Sequence, residues 1–110
     1  MKKFMLTYHS SKESVEQMMQ ATEAQRMEGM KPWFAWKANV GDHLLDFGAP
    51  VMGGMQLAKD GSATPSTNLV SGYSIIQAED MAHAQNLLKD HPHNAPEQGQ
   101  FIEVHECVAM

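Results

Sequence analysis

One stretch, Leu69 to His93 (LVSGYSIIQAEDMAHAQNLLKDHPH), constrains the fold more than any other part of the chain. Leu69 to Gln77 follows a turn-rich run, Pro65-Ser-Thr-Asn68, and carries Val70, Tyr73, Ile75 and Ile76. Aromatic and β-branched enrichment over such a length is the signal of a strand. Asp80 then stands where its carboxylate caps a helix, accepting a backbone N–H one turn in and favouring the positive helix end. Met81, Ala84, Leu87 and Leu88 follow at helical spacing and make the apolar stripe of a short helix lying on a sheet. Pro92 disfavours helical dihedrals at His91, so the helix stops by about Asp90. If His91 to His93 is extended, both imidazoles point the same way. A strand and a helix require a second strand to cover, and Phe101 to Val108 supplies it. The unit is β-α-β.

The rest of the chain repeats this pattern. Lys3 to His9 alternates Phe4, Leu6 and Tyr8 with Met5, Thr7 and His9, as a first strand would. Ser14-Val-Glu-Gln17 and Thr22-Glu-Ala-Gln25 both match the capping box. They predict a short helical piece near 15–20 and a longer helix over about 23–40, with Met27, Met30, Phe34 and Val40 as its buried stripe. Pro32 should kink or split that helix, since it deletes a backbone hydrogen bond. Gly41 closes it as a C′ glycine. His43 to Phe47 reads as the second strand. Residues 51–68 form an irregular excursion, with a short strand at Met55 to Ala58 turning at Asp60-Gly61. The order matches a single α+β domain over 1–110, the ferredoxin-like split βαβ with a four-stranded antiparallel sheet.

Both helices of that arrangement lie on one face of the sheet. Phe4, Leu6 and Tyr8 with Ile102, Val104 and Val108 make the apolar set beneath them. The alternate set, Met5, Thr7, Asp46, Phe101, Glu103, His105 and Cys107, is too apolar to be left wet and too polar for a plain core. Face-to-face homodimerisation around a partly polar cavity is the expected solution.

Composition removes several classes of function. A net charge of −5 without any Lys/Arg cluster argues against nucleic acid, whose phosphates demand a positive footprint. No apolar run approaches the ~20 residues needed to cross a bilayer, so no membrane partner is expected. Only Phe4, Met5 and Leu6 follow Lys2 and Lys3, too few for a signal-peptide core. The single cysteine, Cys107, can form no intrachain disulfide and suits a reducing, cytoplasmic setting, where it is expected to pack rather than react. The ten methionines read as a pliable core or interface.

Several of these stretches look familiar together: Lys3-Phe-Met-Leu-Thr-Tyr8, Trp33-Phe-Ala-Trp36, Gly41-Asp-His-Leu-Leu-Asp-Phe-Gly-Ala-Pro50, Gly72-Tyr-Ser-Ile-Ile-Gln-Ala-Glu-Asp80, His91-Pro-His93 and Phe101-Ile-Glu-Val104. In order and spacing the chain resembles the YCII-related family of the dimeric α+β barrel superfamily. That resemblance implies a ferredoxin-like dimer. It also implies kinship with muconolactone-isomerase-like enzymes and with a dehydrochlorinase that acts on a ring compound. The family's proposed active site pairs a histidine on the first long helix with an aspartate just before a proline. Here the pre-proline residue is His91, the helical position falls near Met30, and Asp60-Gly61 continues as Ser62-Ala63 rather than Pro-Phe. The dyad is therefore not inherited as such.

The candidate chemistry rests on few residues. His91 and His93 suit acid/base work because imidazole titrates near neutral pH. Alternatively they terminate the helix and bond its free carbonyls. Asp46, polar among Leu44, Leu45 and Phe47, is either a cavity carboxylate assisting a histidine or an edge residue in water. Trp33 and Trp36, three apart, wall a pocket for a planar ligand or pack the core and dimer. Thr7 and His105 are candidates to line the cavity from the alternate sheet face, with Glu103 beside them; a solvated edge is the other reading. Of His9, His43, His91, His93 and His105 only the His91/His93 pair has suggestive ligand spacing, so no metal and no cofactor is expected. No phosphate loop or Ser/His/Asp arrangement is visible. The reading is a cofactor-independent enzyme on a small, aromatic molecule, an isomerase, lyase or dehydrochlorinase. The alternative is a non-catalytic binding or interaction module.

Overall fold

A computed structural model describes residues 1–110. Its six strands and three helices run β1 (Lys2–Ser10), α1 (Lys12–Gln20), α2 (Glu23–Val40), β2 (Leu44–Asp46), β3 (Met55–Leu57), β4 (Ala63–Pro65), β5 (Val70–Ala78), α3 (Met81–Leu87) and β6 (Gln100–Cys107). Four strands form one antiparallel sheet in the order β2-β5-β1-β6. Each βαβ unit thus leaves a gap that a strand of the other unit fills, which is the ferredoxin-like arrangement read from the sequence.

Alternation decides what the sheet buries. Phe4, Leu6 and Tyr8 of β1 and Ser74, Ile76 and Ala78 of β5 point under the helices and are buried, with Ile102 and Val104 of β6 packed against them. From the helices come Trp36, Val40, Ala84 and Leu88. The next residue along each strand faces the other way, and there Met5, Tyr73 and Phe101 are exposed. Val108 does not join the covered set: it lies beyond the end of β6 and is 73% exposed. Cys107, on the same edge strand, is exposed rather than packed.

The helix ends follow local chemistry. Thr22 and Gln25 form the reciprocal capping box at the start of α2. Gly41 ends that helix at φ 53°, a conformation other residues adopt at a cost. Asp80 caps α3 by accepting the His83 N–H at 2.8 Å. The other predicted capping box is not used. Ser11 caps α1 instead, three residues earlier, and the Ser14 hydroxyl donates to the Gln98 carbonyl.

Three expectations about α2 and the loops need correction. α2 buries Trp36 and Val40 with Trp33 half-buried beside them, whereas Met27 is 67% and Phe34 54% exposed. For Met27 the reason is reach, since residues 22–29 are all exposed and the first two turns overhang the sheet; Phe34 lies about 100° round the helix from Trp33 and so points off the packed face. Pro32 does not split the helix, which runs unbroken through it on its exposed side. The excursion is a separate two-stranded hairpin, β3 with β4, turning at Asp60-Gly61 as the sequence indicates. The second strand is shorter than read, and Gly48 follows it at φ 77°, where a Cβ would sit 1.8 Å from the Tyr73 carbonyl oxygen. No helix of the chain is long and apolar enough to cross a membrane.

Candidate functional site

The His91-Pro92-His93 corner is a turn rather than an extended segment. The Asn94 N–H donates to the His91 carbonyl at 3.1 Å, and Pro92 takes the second position, which its fixed φ suits. The His93 N–H donates to Nδ1 of His91 at 2.9 Å. An imidazole nitrogen does here what an Asn or Asp oxygen does in the turns those residues favour. Both rings still converge, their centroids 5.0 and 5.4 Å from that of Tyr8.

Five aromatic rings meet at this point. Trp33 stands edge-on to Tyr8 at 4.9 Å and to His91 at 4.6 Å, and Trp36 lies 4.3 Å from His91. Edge-to-face contacts of this kind add attraction beyond area burial. Trp36 is fixed by its indole N–H, which donates to the Leu87 carbonyl at 2.9 Å and covers the end of α3. Tyr8, Trp36, His91 and His93 are buried, and Trp33 alone of the five is half-buried. Access to the cluster therefore runs past Trp33, toward Phe47 and the exposed Phe34.

The polar atoms form one directed chain. Because Nδ1 of His91 accepts, the neutral ring carries its proton on Nε2 and donates to the Tyr8 hydroxyl at 3.1 Å. Tyr8 donates to Ser74 Oγ at 2.8 Å, and Ser74 donates to the Phe47 carbonyl at 2.6 Å. Burial sets the charge state of every member. It pushes the His91 imidazole down to about 3, with the nearby His93 adding to the effect. It pushes the Tyr8 phenol up to about 12, against a smaller opposing pull from Ser74. His93 is also held below the ordinary imidazole range by burial and by the neighbouring His9, although its bond to the His9 carbonyl works the other way. At neutral pH the whole chain is uncharged.

His93 differs from His91 in one respect. Its Nε2 donates to the His9 carbonyl at 2.8 Å, which leaves Nδ1 as the lone-pair nitrogen with no partner in the protein. No polar side-chain atom of the chain is both buried and unpartnered, so His93 Nδ1 touches solvent. The same holds for the indole nitrogen of Trp33.

The other sequence candidates fall elsewhere. Asp46 sits exposed at the end of β2, where its carboxylate accepts the Gly48 N–H at 2.8 Å and bonds neither histidine. Thr7 and His105 lie on the uncovered face. There the Thr7 hydroxyl is 2.9 Å from Nε2 of His9, and Glu103 stands between His9 and His105, 3.3 and 3.5 Å away. Sequence reasoning missed Tyr8 and Ser74 as site residues. Tyr8 carried a signal, since a tyrosine alternating with Phe4 and Leu6 beneath helices must find a partner for its hydroxyl. Ser74 carried a weaker one, a lone hydroxyl on the buried side of β5. No three His, Cys, Asp or Glu side chains stand close enough to hold one metal ion.

Two depressions lie away from the cluster. One, about 730 Å³, is polar and lies between α1 and residues 97–100. The other, about 300 Å³, lies beneath the β3–β4 hairpin beside Val51, Met55 and Val70. Trp33 and Trp36, the expected pocket walls, pack with Tyr8, His91 and His93, and Trp33 is the least buried of the five rings.

No protein-family model matches the sequence, and no curated protein matches it. Among solved structures the chain is similar to 5-chloro-2-hydroxyhydroquinone dehydrochlorinase from Burkholderia phenoliruptrix, determined in complex with 2,5-dihydroxybenzoquinone. The TM-score is 0.58 at 14% identity, over 98% of this chain and 95% of that one. At that identity the likeness establishes a shared fold.

Proposed function

We propose that the protein is a cofactor-independent enzyme of the lyase or isomerase kind, acting on a small aromatic or quinone-like molecule at the His91-Pro92-His93 corner. The observation that carries this reading is the convergence of two neutral, tautomer-fixed imidazoles on Tyr8, with Trp33 as the half-open wall. Apolar aromatic walls with a few fixed polar groups are what small-molecule sites are made of. The solved dehydrochlorinase of the same fold, with its quinone ligand, supports the ligand class. Trp33, backed by the buried Trp36, walls the site, and the histidine corner supplies the acid/base group. Asp46 bonds the Gly48 N–H and neither histidine, so the proton chemistry rests on the histidine corner.

The uncovered sheet face bears on assembly. Met5, Tyr73, Phe101 and Leu45 are all exposed there around Thr7 and His105, which supports a face-to-face homodimer. Thr7 and His105 would then line the enclosed space between two copies. Sedimentation equilibrium at micromolar concentration tests this, and a monomer would end it.

Turnover is tested with chlorinated and hydroxylated hydroquinones, comparing the wild-type chain with the His91→Ala/His93→Ala double variant. Loss of turnover in a folded double variant is the expected result. One observation favours a second reading, a non-catalytic binding module: both nitrogens of His91 are already engaged and the ring resists protonation. Saturable binding of these molecules with no turnover of any of them would favour that reading.

A further inference from the structure

Building on the site proposed above, we infer that its two histidines do different work. His93 presents Nδ1 as the proton acceptor for a hydroxylated ring compound, Trp33 donates its indole N–H to the oxygen of that compound, and His91 is a positioning residue.

The geometry separates the two rings without reference to any ligand. His91 has no free nitrogen: Nδ1 accepts from the His93 N–H and Nε2 donates to Tyr8. It is 3% exposed. Nothing outside the protein can reach a lone pair on it. His93 has one nitrogen committed and one open. Its Nε2–H points at the His9 carbonyl at 2.8 Å, and that bond holds the ring in the tautomer whose lone pair is on Nδ1. A base oriented by a second group through its other nitrogen is the usual arrangement for proton transfer. The bond His91 makes is to the backbone of His93 itself, so the buried chain from His91 through Tyr8 and Ser74 to Phe47 anchors the turn that aims the base.

The open atoms define the ligand. His93 Nδ1 is an acceptor and the Trp33 indole nitrogen a donor, on rings whose centroids are 5.9 Å apart. A phenolic or enolic hydroxyl, or a carbonyl with an acidic neighbouring C–H, offers the matching pair. In the step, the lone pair of Nδ1 takes the proton and the electrons of the broken O–H or C–H bond stay on the ligand as an oxyanion or enolate. The imidazolium keeps its Nε2–H on the His9 carbonyl, and the Trp33 N–H meets the negative oxygen. Return of the proton to another carbon gives isomerisation, and departure of a leaving group with its electron pair gives elimination. The titratable groups facing His93 are His91 in its own turn and Tyr8 and His9 from β1, with Glu103 of β6 beyond His9.

The test begins on the free wild-type protein, by long-range proton–nitrogen correlation of the imidazoles. His93 is expected in the Nε2–H form and to take its proton on Nδ1 as pH falls, while His91 stays neutral from pH 8 to pH 5. Finding His93 in the other tautomer, or His91 titrating first, overturns the assignment. Binding of 2,5-dihydroxybenzoquinone and of catechol follows. His93→Gln keeps an amide donor for the His9 carbonyl and removes the imidazole lone pair at the Nδ1 position; it should weaken binding about tenfold, the loss of a hydrogen bond or so. His91→Ala should also weaken it, and His91→Asn should restore it, because an Asn oxygen accepts the N–H two residues on. Restoration distinguishes positioning from bulk packing, which Asn does not replace. Probes that bind the wild type and His93→Gln equally well sink this inference and leave the proposed site standing. Probes that bind neither, with the tautomers as expected, sink the proposed site and the ligand assignment together.

Discussion

Strand β1 carries Tyr8 on one side and His9 on the other, and the two faces treat polar groups in opposite ways. On the covered face no polar side-chain atom is both buried and unpartnered, and the packed histidines are held uncharged. On the open face Thr7, His9, Glu103 and His105 cluster just as densely, but His105 and Glu103 stand in solvent. Histidines stand on both faces, and along β1 the alternation of the strand alone separates Tyr8 from His9. What makes His91 unusual is first its burial beside two tryptophans, with the neighbouring His93 adding to the effect.

The largest expected effect follows from that difference. His91 is depressed in the folded chain, so its contribution is present above the ordinary imidazole value near 6.5 and is lost as pH falls toward about 3. The whole gap corresponds to on the order of 5 kcal/mol, of which about 2 kcal/mol should be gone by pH 5. Denaturant unfolding of the wild type and His91→Gln between pH 7 and pH 5 measures it. The variant keeps a donor for Tyr8 but cannot titrate, so its pH slope should be flatter. Equal slopes would mean that the covered face does not hold this ring neutral.

Packing should separate the faces next. Leu6→Ala deletes a fully buried side chain and should cost about 3 kcal/mol, while Met5→Ala, one residue along and exposed, should cost under about 1 kcal/mol. Urea midpoints give both. Similar costs would contradict the alternation on which the two-face description depends.

Within the covered face the two tryptophans differ by a smaller margin. Trp36→Phe leaves the Leu87 carbonyl without its donor and should destabilise the fold by about 1–2 kcal/mol. Trp33→Phe removes a half-buried ring with no protein partner for its N–H, so stability should change little while binding of 2,5-dihydroxybenzoquinone weakens. Thermal unfolding and a binding isotherm on the same two variants make the comparison. If Trp36 rather than Trp33 governs binding, access to the cluster does not run past Trp33.

The topology was legible because its signals are periodic and local: the alternation in β1, the stripe of α3, the caps at Thr22 and Asp80, and Gly41. The site was legible only in part. His91 and His93 stood out as a pair beside a proline, and Trp33 and Trp36 as a pair on a helix. Their meeting with Tyr8 and Ser74 depends on how far α2 reaches over the sheet, a long-range fact that no local spacing encodes. The same overhang explains why Met27 is not core, whereas Phe34, next to Trp33 in the half that does pack, is turned away by the helical rotation of about 100° per residue. Asp46 looked chemical because it interrupts an apolar run, yet its carboxylate simply closes the turn at Gly48.

The smallest effect lies on the open face, and it separates a bare surface from one that a second copy covers. Glu103 holds His9 and His105 at 3.3 and 3.5 Å with its own side chain half in solvent, and exposed pairs of this kind contribute only about 0–1 kcal/mol. For an isolated chain, Glu103→Gln should therefore shift the urea midpoint barely, and by the same amount at every protein concentration. If two copies close over this face, the wild-type midpoint rises with concentration by mass action. Glu103 and its two histidines are then taken out of water together, where a missing charge costs more than at a surface. The variant should match the wild type at submicromolar concentration and fall progressively behind it above that. A difference that never depends on concentration would mean that the open face stays open and that Thr7 and His105 line no enclosed site.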